Sequence, residues 1–170
     1  MENQNGSSNS VYYFAYGSNL NPNRMNNRKA YFTERLCAKL INYEFKLHKE
    51  LKNGTVAANI VKASNQDKAA CVYGALYRCK QEALVILDKF EARGISYERE
   101  TVEVEIQSTG KKVNAVTYIA LPNRINDDLH KVATDYLNHI LEGRDILPKE
   151  YINWIETTFS GWCVDEVCQK

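Results

Sequence analysis

The chain has little of what marks a secreted, membrane-spanning or metal-dependent protein. Its 170 residues include five cysteines, Cys37, Cys71, Cys79, Cys163 and Cys168, an odd number with no C-x-x-C spacing. They are therefore read as free thiols in a reducing compartment, not as a disulfide framework. The three histidines, His48, His130 and His139, are scattered, and the last two are too far apart for the i, i+4 pair of a helical zinc site. No metal and no other cofactor is expected. Apolar runs such as Leu84 to Leu87 are short, far from the ~20 residues of a membrane span. Met1 to Ser10 is polar and has no basic start followed by an apolar stretch, so it does not read as a secretory signal, and a cytoplasmic location is expected. Lysine and arginine total 22 against 21 aspartate and glutamate, a net charge of +1. That near balance lacks the basic footprint used to bind nucleic acid or an anionic membrane surface.

What is present is an ordinary globular composition, 44% hydrophobic and 25% charged, long enough to bury a core without staples. Residues 1–10 read as a disordered polar tail, 11–160 as a single domain, and 161–170 as a C-terminal tail without strong pattern. Strands are expected at Val11–Ala15, Tyr43–Lys49, Thr55–Ala63, Cys71–Arg78, Thr101–Gln107 and Lys112–Leu121, the last two as a hairpin. Helices are expected at Gln81–Ala92, at Asp127–Glu142 and from Pro148 onward. Strands come early and two helices late, without strand–helix alternation. This predicts an α+β fold: a mixed sheet, closed or strongly curled, with helices outside it.

Three places carry chemistry. The first is Tyr16-Gly17-Ser18-Asn19-Leu20, where an apolar strand runs straight into a turn. Gly17 can take a positive φ and lets a ligand approach the backbone closely. Successive N–H groups in such a turn can hold a carboxylate or an oxyanion. The pattern matches no P-loop, dinucleotide fingerprint or nucleophile elbow, and a plain structural turn is the bland alternative. The second is Glu91. On a helix over Gln81–Ala92 it falls about 20° from Leu84, inside the apolar stripe. Partial burial and the negative helix end would both raise its pKa, which suits proton exchange near neutrality. A frayed end with Glu91 in solvent, or paired with Arg93 or Arg99, is the competing reading, and Asp88 is the second-choice carboxylate. The third is Tyr136, in the apolar face of the helix expected at Asp127–Glu142. Its hydroxyl needs a partner, either a ligand or the core backbone.

Taken together, Tyr13-Phe14-Ala15-Tyr16-Gly17-Ser18-Asn19-Leu20, Ala38-Lys39-Leu40, Phe45-Lys46-Leu47, Ala58-Asn59-Ile60, Val72-Tyr73-Gly74-Ala75-Leu76-Tyr77 and Leu87-Asp88-Lys89-Phe90-Glu91 resemble the γ-glutamylcyclotransferase family. That family includes γ-glutamylamine cyclotransferases, a butirosin deprotection enzyme and plant avirulence-induced proteins. The resemblance implies a small mixed β-barrel flanked by helices and no cofactor. It implies a small-molecule γ-glutamyl substrate converted to 5-oxoproline, with Glu91 as catalytic acid/base. Tyr16, Gly17, Ser18, Asn19 and Leu20 would cradle the glutamyl part and Tyr136 would line the pocket. The chain departs from the pattern at Ala92, where many members have glycine. It also has Asn19 where the glutathione-specific branch has leucine, which argues against glutathione as main substrate. The remaining choice lies between γ-glutamyl amino acids and γ-glutamyl amines, with a non-catalytic binder as a further class. A thiol enzyme using Cys37 or Cys71 lacks an activating histidine. The sequence leaves oligomeric state open, a homodimer included.

Overall fold

A computed structural model describes residues 9–65 and 69–165. Nine strands and four α-helices lie among them: β1 Ser10–Ala15, α1 Pro22–Asn27, β2 Phe32–Ile41, β3 Tyr43–Glu50, β4 Val56–Lys62, β5 Cys71–Lys80, α2 Gln81–Phe90, β6 Tyr97–Ile106, β7 Lys112–Ala120, β8 Val132–Ala133, α3 Thr134–Leu141, α4 Lys149–Phe159 and β9 Cys163–Val164. Five strands close a barrel in the order β1-β5-β2-β6-β7. Its neighbours are antiparallel except at the seam, where β1 meets β7 in parallel through Tyr13 and Val116. The fold is therefore α+β with a closed mixed barrel. Closure leaves the five-strand sheet without the open edges that invite aggregation.

The β3–β4 hairpin stands apart from the barrel. Asn42, at φ 66°, makes the corner between β2 and β3 and bonds to Ala63 and Ala70. A single core runs through both sheets and under the helices. Phe14, Leu20, Ile60, Leu76, Leu84, Leu87, Ile140 and Ile155 are all within 1% of full burial, each worth about 1.5–3 kcal/mol in removed apolar surface.

Chain geometry brings the two ends of the candidate site together. β1 and β5 are antiparallel, so Lys80 at the end of β5 lies beside Ser10, at the start of β1. The chain then turns directly into α2. Ten helical residues rise about 15 Å, close to the roughly 17 Å that β1 covers from Ser10 to Ala15. α2 packs back across β1, and Glu91 arrives at the end of the barrel where β1 releases Tyr16 and Gly17.

Several expectations need correction. β2 was not expected at all: its sequence F-T-E-R-L-C-A-K-L-I alternates only at Ala38 and Leu40, and a bulge breaks its register between Phe32 and Glu34. The late helix begins at Thr134, not Asp127. Asp127 is held by His48 Nδ1 at 2.7 Å, Asn126 Oδ1 accepts from the Asp128 N–H, and Lys131 C=O accepts from Val56. These bonds commit 126–131 to loop geometry before the helix can start. Val132–Ala133 pairs with Cys163–Val164, so the stretch expected as a C-terminal tail opens with a paired strand. Ser10 likewise belongs to β1. Residues 1–8 and 166–170 of the two expected tails lie outside the described residues. Phe90, the last residue of α2, is 53% exposed despite its apolar ring.

Candidate active site

β1 ends at Ala15, and Ser18–Leu20 forms a one-turn 3-10 segment in which the Leu20 N–H bonds to the Gly17 carbonyl and the Asn21 N–H to Ser18. Asn21 then caps α1, its Oδ1 accepting from the Asn23 N–H at 3.0 Å, with Pro22 as the first helical residue. The N–H groups of Gly17, Ser18 and Asn19 have no hydrogen-bond partner among the described residues, and all three residues line one hollow. Leu20 differs from expectation. Its N–H is bonded within the turn and its side chain is fully buried in the core, so it braces the loop from behind. Gly17 also differs: its φ is −112°, not positive. What requires glycine there is space, because a Cβ would sit 3.1 Å from Ala58 Cβ and 3.2 Å from Tyr136 Oη.

Glu91 caps the C-terminal end of α2, its N–H bonded to the Leu87 carbonyl. Its carboxylate faces the same hollow as the loop. Asn19 Nδ2 lies 3.4 Å from Glu91 Oε1 and 3.0 Å from Tyr13 Oη, and the Asn19 carbonyl accepts from Tyr77 Oη at 2.7 Å. Asn19 is thus held from two sides while it touches the carboxylate. Arg28 Nη1 sits 3.5 Å from Glu91 Oε1 and donates to Asn19 Oδ1 at 3.0 Å, with its guanidinium stacked 4.5 Å over the Phe90 ring. That stacking accounts for the exposed Phe90. Burial pushes the Glu91 carboxyl above the ordinary carboxylate value, and the cations Arg28, Arg24 and Lys49 pull against it without cancelling it. The frayed-end reading and the pairings with Arg93 or Arg99 do not hold. Arg93 bonds Glu98 at 2.6 Å, and Arg99 grips Asp88 through two bonds of 2.7 Å.

Tyrosines build the rest of the wall. Tyr136, in the first turn of α3, accepts the Ala58 N–H at 2.9 Å, which leaves its own proton free to donate. Tyr97 Oη donates to the Ala58 carbonyl at 2.8 Å, and Tyr16 Oη donates to the Tyr118 carbonyl. Burial raises all of these phenols, Tyr13 included, so they stay protonated. The hollow is partly open to the surface, and its accessible space is about 30 Å³, the room of one water. Tyr13, Tyr97, Tyr118 and Arg28 belong to this site together with Ala58, and the sequence alone did not assign those four to it. A pair of arginines four apart after Pro22 was the available signal for Arg24 and Arg28.

Asp88, the second-choice carboxylate, is structural. Burial raises its carboxyl, but the Arg99 bidentate grip and the Tyr118 hydroxyl at 2.7 Å outweigh burial and hold it below the ordinary value. A depressed folded-state pKa adds stability that is present above the unfolded value of about 3.9 and is lost as pH falls through the folded one. Asp88→Asn is expected to cost about 2 kcal/mol at neutral pH, with the gap to the parent closing on acidification. Urea melts at several pH values measure this. The thiols of Cys37, Cys71 and Cys79 are held protonated, since burial pushes Cys37 and Cys79 up to about 11 and also raises Cys71.

Ala92 explains one departure noted above. It has φ 47°, the left-handed region that favours glycine. Ala92→Gly is expected to relieve about 1 kcal/mol of backbone strain, and a thermal melt about 2–4 °C higher would show it.

Comparisons with known proteins agree with this architecture. Residues 13–138 match the family model "Gamma-glutamyl cyclotransferase, AIG2-like". No curated protein sequence matches. Among solved structures, the human uncharacterized protein loc79017 is similar at 23% identity and TM-score 0.72, with 87% of each chain covered. YkqA from Bacillus subtilis is similar at 23% identity and TM-score 0.77, over 92% of this chain and 56% of that one. A structure titled gamma-glutamyl cyclotransferase is similar at 21% identity and TM-score 0.72, over 95% and 92%. At these identities the structures bear on the fold, and the match over residues 13–138 decides the family: this chain is a member of the gamma-glutamyl cyclotransferase, AIG2-like family.

Proposed function

We propose that this protein is a γ-glutamylcyclotransferase, releasing 5-oxoproline and an amino acid or amine from a γ-glutamyl amide. The carrying observation is that Glu91 and the Gly17–Asn19 turn share one hollow, with Asn19 Nδ2 3.4 Å from the carboxylate. The substrate's own α-amino group attacks its own γ-carbonyl, so the protein's task is to fold the substrate into attack geometry and move protons. The α-ammonium gives a proton to Glu91, the free amine bonds to the γ-carbon, and the bond to the leaving nitrogen breaks. In sum the attacking nitrogen loses two protons and the leaving nitrogen gains two, and Glu91 is the group that carries them. A carboxyl raised by burial suits both directions of transfer.

The open N–H groups of Gly17, Ser18 and Asn19 serve the substrate's carboxylate or the oxyanion of the tetrahedral intermediate, and the Tyr136 hydroxyl is a further donor. A pure binder has no need of a buried proton-accepting carboxylate, which disfavours the non-catalytic reading. The test is mass detection of 5-oxoproline from a panel of γ-glutamyl amino acids and γ-glutamyl amines. Release from some members supports the reading, and no release from any member sinks it.

A further inference from the structure

Lys49 is the least explained charge in the molecule. It is 6% exposed, yet among the described residues its ammonium has neither a hydrogen bond nor an ion pair. Its Nζ lies 5.4 Å from the centroid of the Tyr97 ring. Its stem is covered while the ammonium keeps a side open to solvent, so a cation is held in place at a groove with no counter-ion of its own. Local sequence does not demand it. β3 carries a bulge between Leu47 and Lys49, and Leu47, His48 and Lys49 are buried in a row instead of alternating.

The position of Lys49 gives the use. Tyr97 edges the hollow that holds Glu91, and Lys49 covers the ring of that same tyrosine. Lys49 also borders an open groove with Ala92, the residue after Glu91, and with Arg124. Lys49, Lys52 and Arg124 bring three positive charges to this groove against the single carboxylate of Glu50, which already accepts from Asn126 at 3.1 Å. Lys49 is near enough to Glu91 to pull its proton equilibrium downward.

Resting on the cyclotransferase reading, the geometry points to Lys49 as the residue that selects the leaving group, by pairing with a carboxylate on it. In an amino acid joined through its α-nitrogen, the carboxylate carbon is two bonds from the nitrogen that Glu91 protonates, about 2.5 Å away. A cation that reads this group must therefore stand close to Glu91, and Lys49, outside the lining of the hollow but over Tyr97 and on the groove beside Ala92, is the cation on that side. A plain γ-glutamyl amine would leave the ammonium as unpaired as it is now. Arg124, anchored through Nε to the Ile95 carbonyl at 2.9 Å, adds positive potential to the same groove.

The test compares γ-glutamylalanine with its C-terminal amide, nearly equal in shape and different in charge. The parent is expected to favour the acid in kcat/KM by about 10- to 100-fold. In Lys49→Met that ratio falls toward one, and in Lys49→Arg it is largely restored. Because Lys49 also biases Glu91, the ratio is the readout: an effect on Glu91 alone moves both substrates together and leaves the ratio fixed. Lys49→Met is also expected to melt near the parent temperature, since it breaks no ion pair or hydrogen bond among the described residues. Binding of the same pair is followed by calorimetry in the Glu91→Gln background. Preferential binding of the acid without turnover in the parent would uphold Lys49 and refute the proposed reaction. Equal handling of acid and amide by the parent, or a ratio unchanged in Lys49→Met, overturns the assignment.

Discussion

Glu91→Gln is expected to lower 5-oxoproline release by about 10²- to 10⁴-fold, the usual contribution of a positioned general acid/base, while the protein still folds and binds substrate. Glutamine has nearly the same shape and keeps an oxygen for Asn19 Nδ2 at 3.4 Å and Arg28 Nη1 at 3.5 Å. It removes a carboxylate whose charged form burial already disfavours, so the change in stability is small. What it cannot do is take a proton from the α-ammonium. The pH dependence carries the same assignment. Burial sets the Glu91 carboxyl above its ordinary range, so the acidic limb of the kcat/KM profile lies above that of an ordinary glutamate, and Glu91→Gln abolishes that limb. Arg28→Met removes the nearest opposing cation and moves the limb upward. Turnover at the parent rate in Glu91→Gln, with binding intact, would show that another group moves the protons.

The legible part of this site was the part written in short segments. Tyr16 to Asn19 follows an apolar strand, and Glu91 recurs in phase with Leu84 and Leu87, so strand end and helix face could be read locally. The carboxylate's surroundings were not legible, because they are set by which strand returns to which. Arg28 reaches Glu91 only because α1 and the end of α2 meet at one end of the barrel. Tyr97, Tyr118 and Ala58 come from β6, β7 and β4, and nothing in their local sequence distinguishes them from core residues. β2 was hidden for a related reason. It is paired on both sides, by β5 and β6, and two of its three charged residues find partners in the fold, Arg35 with Asp145 at 2.6 Å and Lys39 with Glu105 at 3.2 Å. Tyr136 was put in the pocket by the resemblance, and the apolar face it was read on came from a helix drawn seven residues too long at its start. Of that face Tyr136 and Ile140 are helical, whereas Val132 and Ala133 belong to β8.

Gly74→Ala is expected to cost at least about 3 kcal/mol, at the upper end of overpacking effects and a large share of a total near 5–15 kcal/mol. A Cβ at Gly74 would lie 2.5 Å from the Ala15 carbonyl oxygen and 2.7 Å from two ring carbons of Phe14. Neither neighbour can yield cheaply. Phe14 is fully buried, and Ala15 is held in the β1–β5 ladder opposite Ala75. Relief therefore requires the end of β1 to move outward, and that end is the root of the Tyr16–Asn19 turn. Two measurements follow from one displacement. Urea denaturation should show the stability loss, whereas Gly54→Ala, in open space at φ 76°, should lose only about 1 kcal/mol. Activity per folded molecule of Gly74→Ala should also fall, because the open N–H groups of the turn move away from the carboxylate they face. Full stability in Gly74→Ala would mean that β1 and β5 do not approach this closely. Lost stability with undiminished activity per folded molecule would mean that the turn is held by α1 and α3 and not by the strand that leads into it.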